Sequence, residues 1–494
     1  MGDELNPLIS TCTNTMAVRM INNRRSQETR TEEDHNRAGP TKENIIHFND
    51  LPRDLLYTIG SKLPPKDFAR NSVLSRQWGC MWSTCPRLTF DAAVMCKCHR
   101  IDLHKYTEKF INEVNAVLQK HQDKVVETLE VRTDFVGSLL VASHINSCVD
   151  FAVSSRTKNL TLDLKPERFW DYYDHRYVFP FQLLDGGRGS HLRHMQLSFV
   201  SLEPPPHFRG FPNLRKLHLQ IVCVNGKDLE HTLSRCCKLE WLRIDRCDIK
   251  GELIVDGLLT HLLYLRVEYC LFLTKIKFHA ANLAIFEYDG PFIPIDLTNS
   301  LKLQSANIEL DKATFQHALP SLLDGFPSVV NLTLRIRLQY LEKQWLWDNP
   351  LKFYNLRRLQ LFMLIFHKGL DKVLYSFLFL RATPFIEELE VHFAGYDLWL
   401  AEVGPCRKDL GPSCKYNCLK NICFTGFKAA RGQLELLLHL VENAPALEAI
   451  NIKVGHHDAN KEYWPYKDSA PPFEEARRIV RNCLLPLNVK FDLV

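Results

Sequence analysis

Leu214–Gln220 (LRKLHLQ), Leu239–Asp245 (LEWLRID), Leu262–Glu268 (LLYLRVE) and Leu283–Asp289 (LAIFEYD) decide how this chain is read. Each stretch holds an apolar residue, two free positions, a second apolar residue, one free position and a third. The last two apolar positions alternate with a single outward residue, which is the period of a strand. The first apolar position closes the turn into that strand. Working outward, the same spacing recurs thirteen times, from Val126-Leu129-Val131 to Leu447-Ile450-Ile452.

Between Leu192 and Leu303 the successive offsets are 22, 25, 23, 21 and 20 residues. That is the period of leucine-rich repeats, roughly 20–29 residues. Elsewhere the offsets stretch to 26–35, so the array is irregular. One unit buries only half of its apolar surface, and stacking is required to bury the rest. The expected fold is therefore α/β: an irregular solenoid over residues 91–400, with parallel strands on a concave face and helices on a convex face. Asp228–Lys238 (DLEHTLSRCCK) and Asp371–Pro384 (DKVLYSFLFLRATP) have helical patterns and are assigned to the convex side. Residues 105–120 form an amphipathic helix, with Phe110, Val114, Val117 and Leu118 on one side, read as a lid that opens the solenoid. Residues 433–443 and 473–485 give two further helices, and VKFDLV a last strand, together capping the far end.

Upstream, residues 1–44 are polar, lack apolar periodicity and are expected to be disordered. Residues 45–90 parse into three short helices. Asn49 or Asp50 caps the first, Pro52 sits in its first turn and Asp54 complements its dipole. Leu51, Leu55 and Ile59 recur at i+4, and Pro64-Pro65 ends the helix after Leu63. Leu74, Trp78, Met81 and Trp82 form the apolar row of the third helix, and Pro86 ends the unit. About 45 residues is near the size at which a lone core fails. Three short helices also cannot hide this many large apolar side chains, so a partner surface is expected to cover the remainder.

The motif LP-x-DLL-x2-I-x-S-x-LP-x-KD-x-AR-x-SVLSRQW, starting at Leu51, resembles a plant F-box. The leucine-rich repeats follow it. Cys418–Ile452 (CLKNICFTGFKAARGQLELLLHLVENAPALEAINI) resembles the FBD-type ending of plant F-box proteins with leucine-rich repeats, so residues 401–494 are assigned to FBD-like repeats and cap. The resemblance covers residues 45–494. It implies a non-catalytic subunit of an SCF-type (Skp–cullin–F-box) ubiquitin ligase, with the F-box on a Skp-type adaptor, a cullin–RING scaffold beyond it and an unidentified protein target on the repeats. The adaptor-binding positions it implies are Leu51, Pro52, Ile59, Leu63, Pro64, Leu74, Trp78 and Trp82. Gly79 departs from the pattern, standing where the family usually carries Arg. A helical Gly costs about 1 kcal/mol relative to Ala, which weakens the expected adaptor grip. The alternative is a repeat scaffold acting outside a ligase.

Outward strand residues are the expected target contacts: Lys216, His218 and Gln220; Arg243 and Asp245; Arg266 and Glu268; Glu287 and Asp289. Their mixed charge fits neither a simple acidic nor a simple basic target. Net charge is +5, from 62 basic and 57 acidic side chains in 494 residues, too mild for a nucleic-acid protein. No run of some 18 apolar residues suggests a membrane helix. Sixteen cysteines are scattered without a short-loop framework, and no signal-peptide pattern precedes them. A reducing compartment, nucleus or cytoplasm, is expected. Cys96-x-Cys98-His99 with His104, and Cys406, Cys414, Cys418 and Cys423, lack the paired spacing of a zinc site. His191, His194 and His279 have no thiol placed beside them by sequence. No metal, cofactor or catalytic residue is assigned. Asn159 and Asn331 match a glycosylation pattern inside expected strands, a coincidence in such a chain.

Overall fold

A computed structural model of the protein describes Leu55 and residues 85–96, 103–121, 125–172, 174–256, 259–311, 325–338, 353–365, 380–395, 415–454, 473–484 and 490–493. The chain divides into two units, Met1–Leu56 and Tyr57–Val494. Leu55 lies in a helix and is the one described residue of the first unit. The tail over 1–44 falls outside the described residues, as does the three-helix assignment over residues 45–90 except at Leu55 and residues 85–90.

In chain order the first strands are β1 (Arg87–Asp91), β2 (Thr128–Arg132), β3 (Asn159–Asp163), β4 (Tyr177–Val178), β5 (His194–Ser198), β6 (Val200–Leu202) and β7 (Lys216–Gln220). Next come β8 (Cys223–Asn225), β9 (Trp241–Asp245), β10 (Asp248–Val255), β11 (Tyr264–Glu268), β12 (Leu273–Phe278), β13 (Ile285–Pro291) and β14 (Ile295–Asp296). The series ends with β15 (Ser305–Asp311), β16 (Asn331–Leu338), β17 (Arg358–Ile365), β18 (Glu388–Gly395), β19 (Asn421–Phe427), β20 (Ala449–Val454) and β21 (Phe491–Leu493). The helices are α1 (Ala92–Cys96), α2 (Leu103–Lys120), α3 (Leu139–Ser154), α4 (Gly226–Leu233), α5 (Arg431–Asn443) and α6 (Phe473–Leu484).

All thirteen repeats become strands of one 15-stranded parallel sheet, ordered β1-β2-β3-β5-β7-β9-β11-β13-β15-β16-β17-β18-β19-β20-β21. The repeat positions set its register. Leu217, Leu242, Leu265 and Phe286 stand opposite one another, as do Leu219, Ile244, Val267 and Tyr288. All eight are buried. Each Leu, Ile or Val hidden this way contributes on the order of 1.5–3 kcal/mol, which stacking alone makes available. The sheet also extends past the thirteen. Leu88 and Phe90 of β1 face Leu129 and Val131 and are fully buried, so Arg87–Asp91, at the end of the stretch assigned to the helical unit, is the sheet's first strand. At the other end Phe491 and Leu493 pair with Ile450 and Ile452, and the FBD-like stretch continues the same sheet.

Chain length decides what returns on the opposite side. Where 31 residues separate Leu129 from Leu160, the return is the helix α3, capped by Ser138 accepting from the Val141 N–H. Where rungs recur every 20–25 residues, little chain is left for helices. Among the described residues α4 is the one α-helix between Tyr177 and Asp296, and short strands build a six-stranded sheet, β14-β12-β10-β8-β6-β4, which begins at β4 in the longer rung before β5. The expectation of helices on that side holds at α4, which overlaps Asp228–Lys238, and at the 3-10 segment Phe181–His191, and is corrected where the short strands of the six-stranded sheet stand instead. The residues of β10 and β12 carry the signal: Leu253, Val255, Ile276 and Phe278 are buried and their intervening neighbours are not.

The helix expected over 105–120 forms as α2, with Tyr106, Phe110, Val114, Val117 and Leu118 buried. It runs between β1 and β2, so it is the return of the first rung and not a lid. The expected C-terminal helices form as α5 and α6.

The corner between the two sheets is a repeated strained turn. Phe199, Ile221, Arg246 and Tyr269 directly follow β5, β7, β9 and β11, with φ of 62°, 52°, 50° and 50°. Left-handed backbone at a non-glycine residue costs about 1 kcal/mol or more. The cost is offset by a ladder across the rungs. The N–H groups of these four residues donate to the carbonyls of Gln220, Asp245, Glu268 and Asp289 at 3.0, 2.9, 2.8 and 2.6 Å.

Candidate functional site: the open face of the long sheet

Residues between the buried rows project from the open face of the 15-stranded sheet in three parallel rows. The first row runs Lys216, Trp241, Tyr264, Ile285. The second runs His218, Arg243, Arg266, Glu287, and the third Gln220, Asp245, Glu268, Asp289. All nine expected target contacts therefore lie on one surface, spread over β7, β9, β11 and β13.

Glu268 organises the centre. Its carboxylate accepts from Arg243 Nη2 at 2.9 Å and from the Arg266 guanidinium beside it on the same strand. Arg266 also reaches Glu287 at 2.8 Å. The hydrogen bond to Glu268 raises the Arg266 pKa further, keeping the guanidinium charged. A second chain runs from the Ser198 hydroxyl to Gln220 Oε1 at 3.1 Å, and from Gln220 Nε2 to Asp245 Oδ2 at 3.0 Å. Burial, aided by Arg243, lowers the His218 pKa and keeps its ring neutral near pH 7.

The nine residues thus divide by role. Asp245 and Glu268 are 4% and 7% exposed and are committed to neighbours within the sheet. Lys216 is exposed, and His218, Gln220, Arg243, Arg266, Glu287 and Asp289 are half-buried. A fixed, self-paired charge pattern favours selectivity over raw affinity, since its charges are already compensated.

Two features escaped the sequence reading. Trp241 and Tyr264 stack in parallel across neighbouring strands, with centroids 5.3 Å apart and planes 5° apart, and His218 meets Trp241 edge-on at 6.1 Å. Their signal was present in WLRID and YLRVE, as aromatic residues at an outward strand position. Further along, Arg335 lies 4.4 Å above the Phe362 ring, and Phe362 stacks on His392 at 4.2 Å. His392 Nδ1 meets the Thr425 hydroxyl at 2.7 Å, and its Nε2 meets Glu390 at 3.0 Å. This second cluster crosses β16 to β19, beyond the four strands that carry the nine expected contacts.

The eight positions expected to bind an adaptor, Leu51, Pro52, Ile59, Leu63, Pro64, Leu74, Trp78 and Trp82, fall outside the described residues, as do Gly79, Cys98, His99, Cys406 and Cys414. Cys418 and Cys423 are partly buried free thiols. Among the described residues no three His, Cys, Asp or Glu side chains gather as metal ligands would. One thiol does lie beside an imidazole: Cys148 Sγ is 3.7 Å from His144 Nε2. Burial lowers the His144 pKa to about 4 and raises that of Cys148 to about 12, so both are neutral and the pair packs as apolar core. Asn159 bonds Thr128 inside the sheet through its amide at 3.0 Å.

A family model described as the leucine-rich-repeat domain of At1g61320/AtMIF1 matches residues 117–479. Among similar proteins of Arabidopsis thaliana, F-box/FBD/LRR-repeat protein At1g13570 is 24% identical over 428 residues, covering 82% of this chain and 90% of its own. F-box/FBD/LRR-repeat protein At4g26340 is 23% identical, covering 86% of this chain and 96% of its own. F-box/LRR-repeat protein At5g02910 is 24% identical, covering 72% and 74%.

Proposed function

Because this chain belongs to the At1g61320/AtMIF1 leucine-rich-repeat domain family and is a plant F-box protein with leucine-rich repeats and an FBD-like ending, we propose that it is the substrate-recognition subunit of an SCF-type ubiquitin ligase. The F-box at residues 45–90 holds a Skp-type adaptor and, through it, a cullin–RING scaffold. The open face of the long sheet holds the target protein. Catalysis belongs to the scaffold's partners. This chain acts by proximity, raising the effective concentration of a target lysine near activated ubiquitin.

The observation that carries the reading is the side-by-side arrangement on that open face. Its rows are held by cross-strand ion pairs and hydrogen bonds, so a partner meets a surface that is already ordered. Preordering removes side-chain entropy cost from association. The names of the similar proteins support the F-box half, as does the density of apolar residues between Leu51 and Trp82.

Co-purification from native tissue, with the F-box intact or deleted, tests it. Intact protein is expected to bring down adaptor and cullin, and deletion to lose both while retaining target. Recovery of target without adaptor from the intact protein would overturn the ligase assignment.

A further inference from the structure

The edge of the long sheet where its strands begin is built differently from the rest of the face. The residue before each strand and the strand's first residue form two neighbouring rows there. The carbonyls of Lys158, Arg193, Arg215, Glu240 and Leu263 each accept two successive N–H groups from the next rung. Those carbonyls are committed within the sheet, and an added strand would pair beside an outermost strand and not across this end. This end can only be read by side chains.

Those side chains fall into two blocks. Over β5 and β7 stand Arg193, His194, Arg215 and Lys216, all exposed. Arg215 is paired with Glu240 at 3.0 Å. Arg193 and Lys216 have no carboxylate in ion-pair range among the described residues. Over β9, β11 and β13 the character changes to Trp241, Leu263, Tyr264 and Ile285. Leu263 and Ile285 are 50% and 41% exposed; Leu263 directly precedes Tyr264, Ile285 stands opposite Tyr264 on the next strand, and Trp241 stacks on Tyr264 from the other side.

We propose that this edge binds an extended peptide segment of the target protein that is acidic in one half and apolar in the other. The acidic half lies over Arg193 and Lys216, the apolar half over Leu263, Ile285 and the flank of the aromatic stack. The proposal rests on the reading of the open face as the target-holding surface. Neighbouring strands are about 4.8 Å apart, so the four steps from β5 to β13 span roughly 19 Å, the length of about six extended residues. A single-stranded nucleic acid fits less well. Trp241 and Tyr264 turn faces toward each other, leaving less ring surface for bases, and the carboxylates of Glu240 and Glu287 flank them.

The test is fluorescence anisotropy on the full-length chain with labelled block hexapeptides: triglutamate joined to Leu-Phe-Leu in either order, trilysine joined to Leu-Phe-Leu, and hexaglutamate. Oligothymidylate is included as a nucleic-acid probe. One acidic–apolar order is expected to bind at least tenfold tighter than the lysine peptide and than hexaglutamate. Arg193→Glu with Lys216→Glu is expected to reverse the charge preference, and Leu263→Asp to remove at least tenfold from the tighter-binding acidic–apolar peptide. These are exposed positions, and an unchanged thermal midpoint confirms the fold. Equal binding of all peptides, tighter binding of oligothymidylate, or indifference to the three substitutions would overturn the proposal. Adaptor co-purification is scored on the same preparations. Peptide binding lost with adaptor retained removes this proposal alone, and adaptor lost with peptide binding retained removes the ligase reading alone.

Discussion

Gln433 holds the exit from β19 by bonding the chain at Gly426, Lys428 and Ala430. Its Nε2 donates to the Gly426 carbonyl at 3.3 Å, while its Oε1 accepts from the N–H groups of Lys428 and Ala430 at 2.9 and 3.1 Å. Gln433 is completely buried, and it bonds Ala430 from the first turn of α5 as the distal half of a capping box does. Gly426 has φ of 67°, and a Cβ there would stand 2.0 Å from the Phe393 carbonyl oxygen. The FBD-like stretch F-T-G-F-K-A-A-R-G-Q is thus one device that bends the chain from the long sheet into α5.

Substitution here should unfold the C-terminal repeats first. Gln433→Leu keeps the volume but strands two buried N–H groups, at about 1–3 kcal/mol for each orphaned group. Gly426→Ala should cost at least as much, since backbone must move. Urea denaturation of both variants checks this, and a midpoint within error of the parent for both would refute the assignment.

The F-box reading makes a sharper demand. Leu51→Ala combined with Pro52→Ala is expected to cut adaptor binding at least tenfold, because truncating a central apolar anchor costs about 2 kcal/mol or more. Undiminished co-purification with the adaptor would count against it.

Removing the shared carboxylate of Glu268 should cost more than removing either arginine. Glu268→Gln takes the carboxylate from Arg243 and leaves Arg266 beside it with Glu287 alone. Breaking a buried pair costs about 3–5 kcal/mol, reduced to roughly 2 here because both guanidinium groups are about one-third exposed. Arg243→Met should lose less, since Glu268 keeps Arg266. A double-mutant cycle monitored by chemical denaturation decides it, and a coupling indistinguishable from zero would rule out the network.

His144 should make stability depend on acid. Its folded pKa, lowered by burial to about 4, lies below the ordinary value of 6.5. Between those values the unfolded chain binds the extra proton, so stability falls as pH drops from 6.5 toward 4. The loss should reach about 2 kcal/mol by pH 5, from the linkage relation. His144→Leu is expected to flatten that part of the profile. An unaltered slope between pH 7 and 5 would show that other groups carry it.

The thirteen Leu-x-x-Leu-x-Leu stretches determined the sheet, its parallel register and its buried rows without help, because a one-residue slip would move every apolar side chain to the wrong face. They also placed the nine outward residues on one surface, since outward positions follow from the same alternation. The first strand was hidden because Cys85, Leu88 and Phe90 repeat the pattern inside a stretch that also matched a helical unit. What returns on the far side was decided by rung length and by turns such as those at Ile221 and Arg246, whose left-handed backbone no residue type there announces. Only the tertiary structure separated carboxylates that hold the sheet, Asp245 and Glu268, from side chains left for a partner. That division depends on which neighbour lies one strand away, twenty-odd residues distant in sequence, and on how deeply each pair is removed from water.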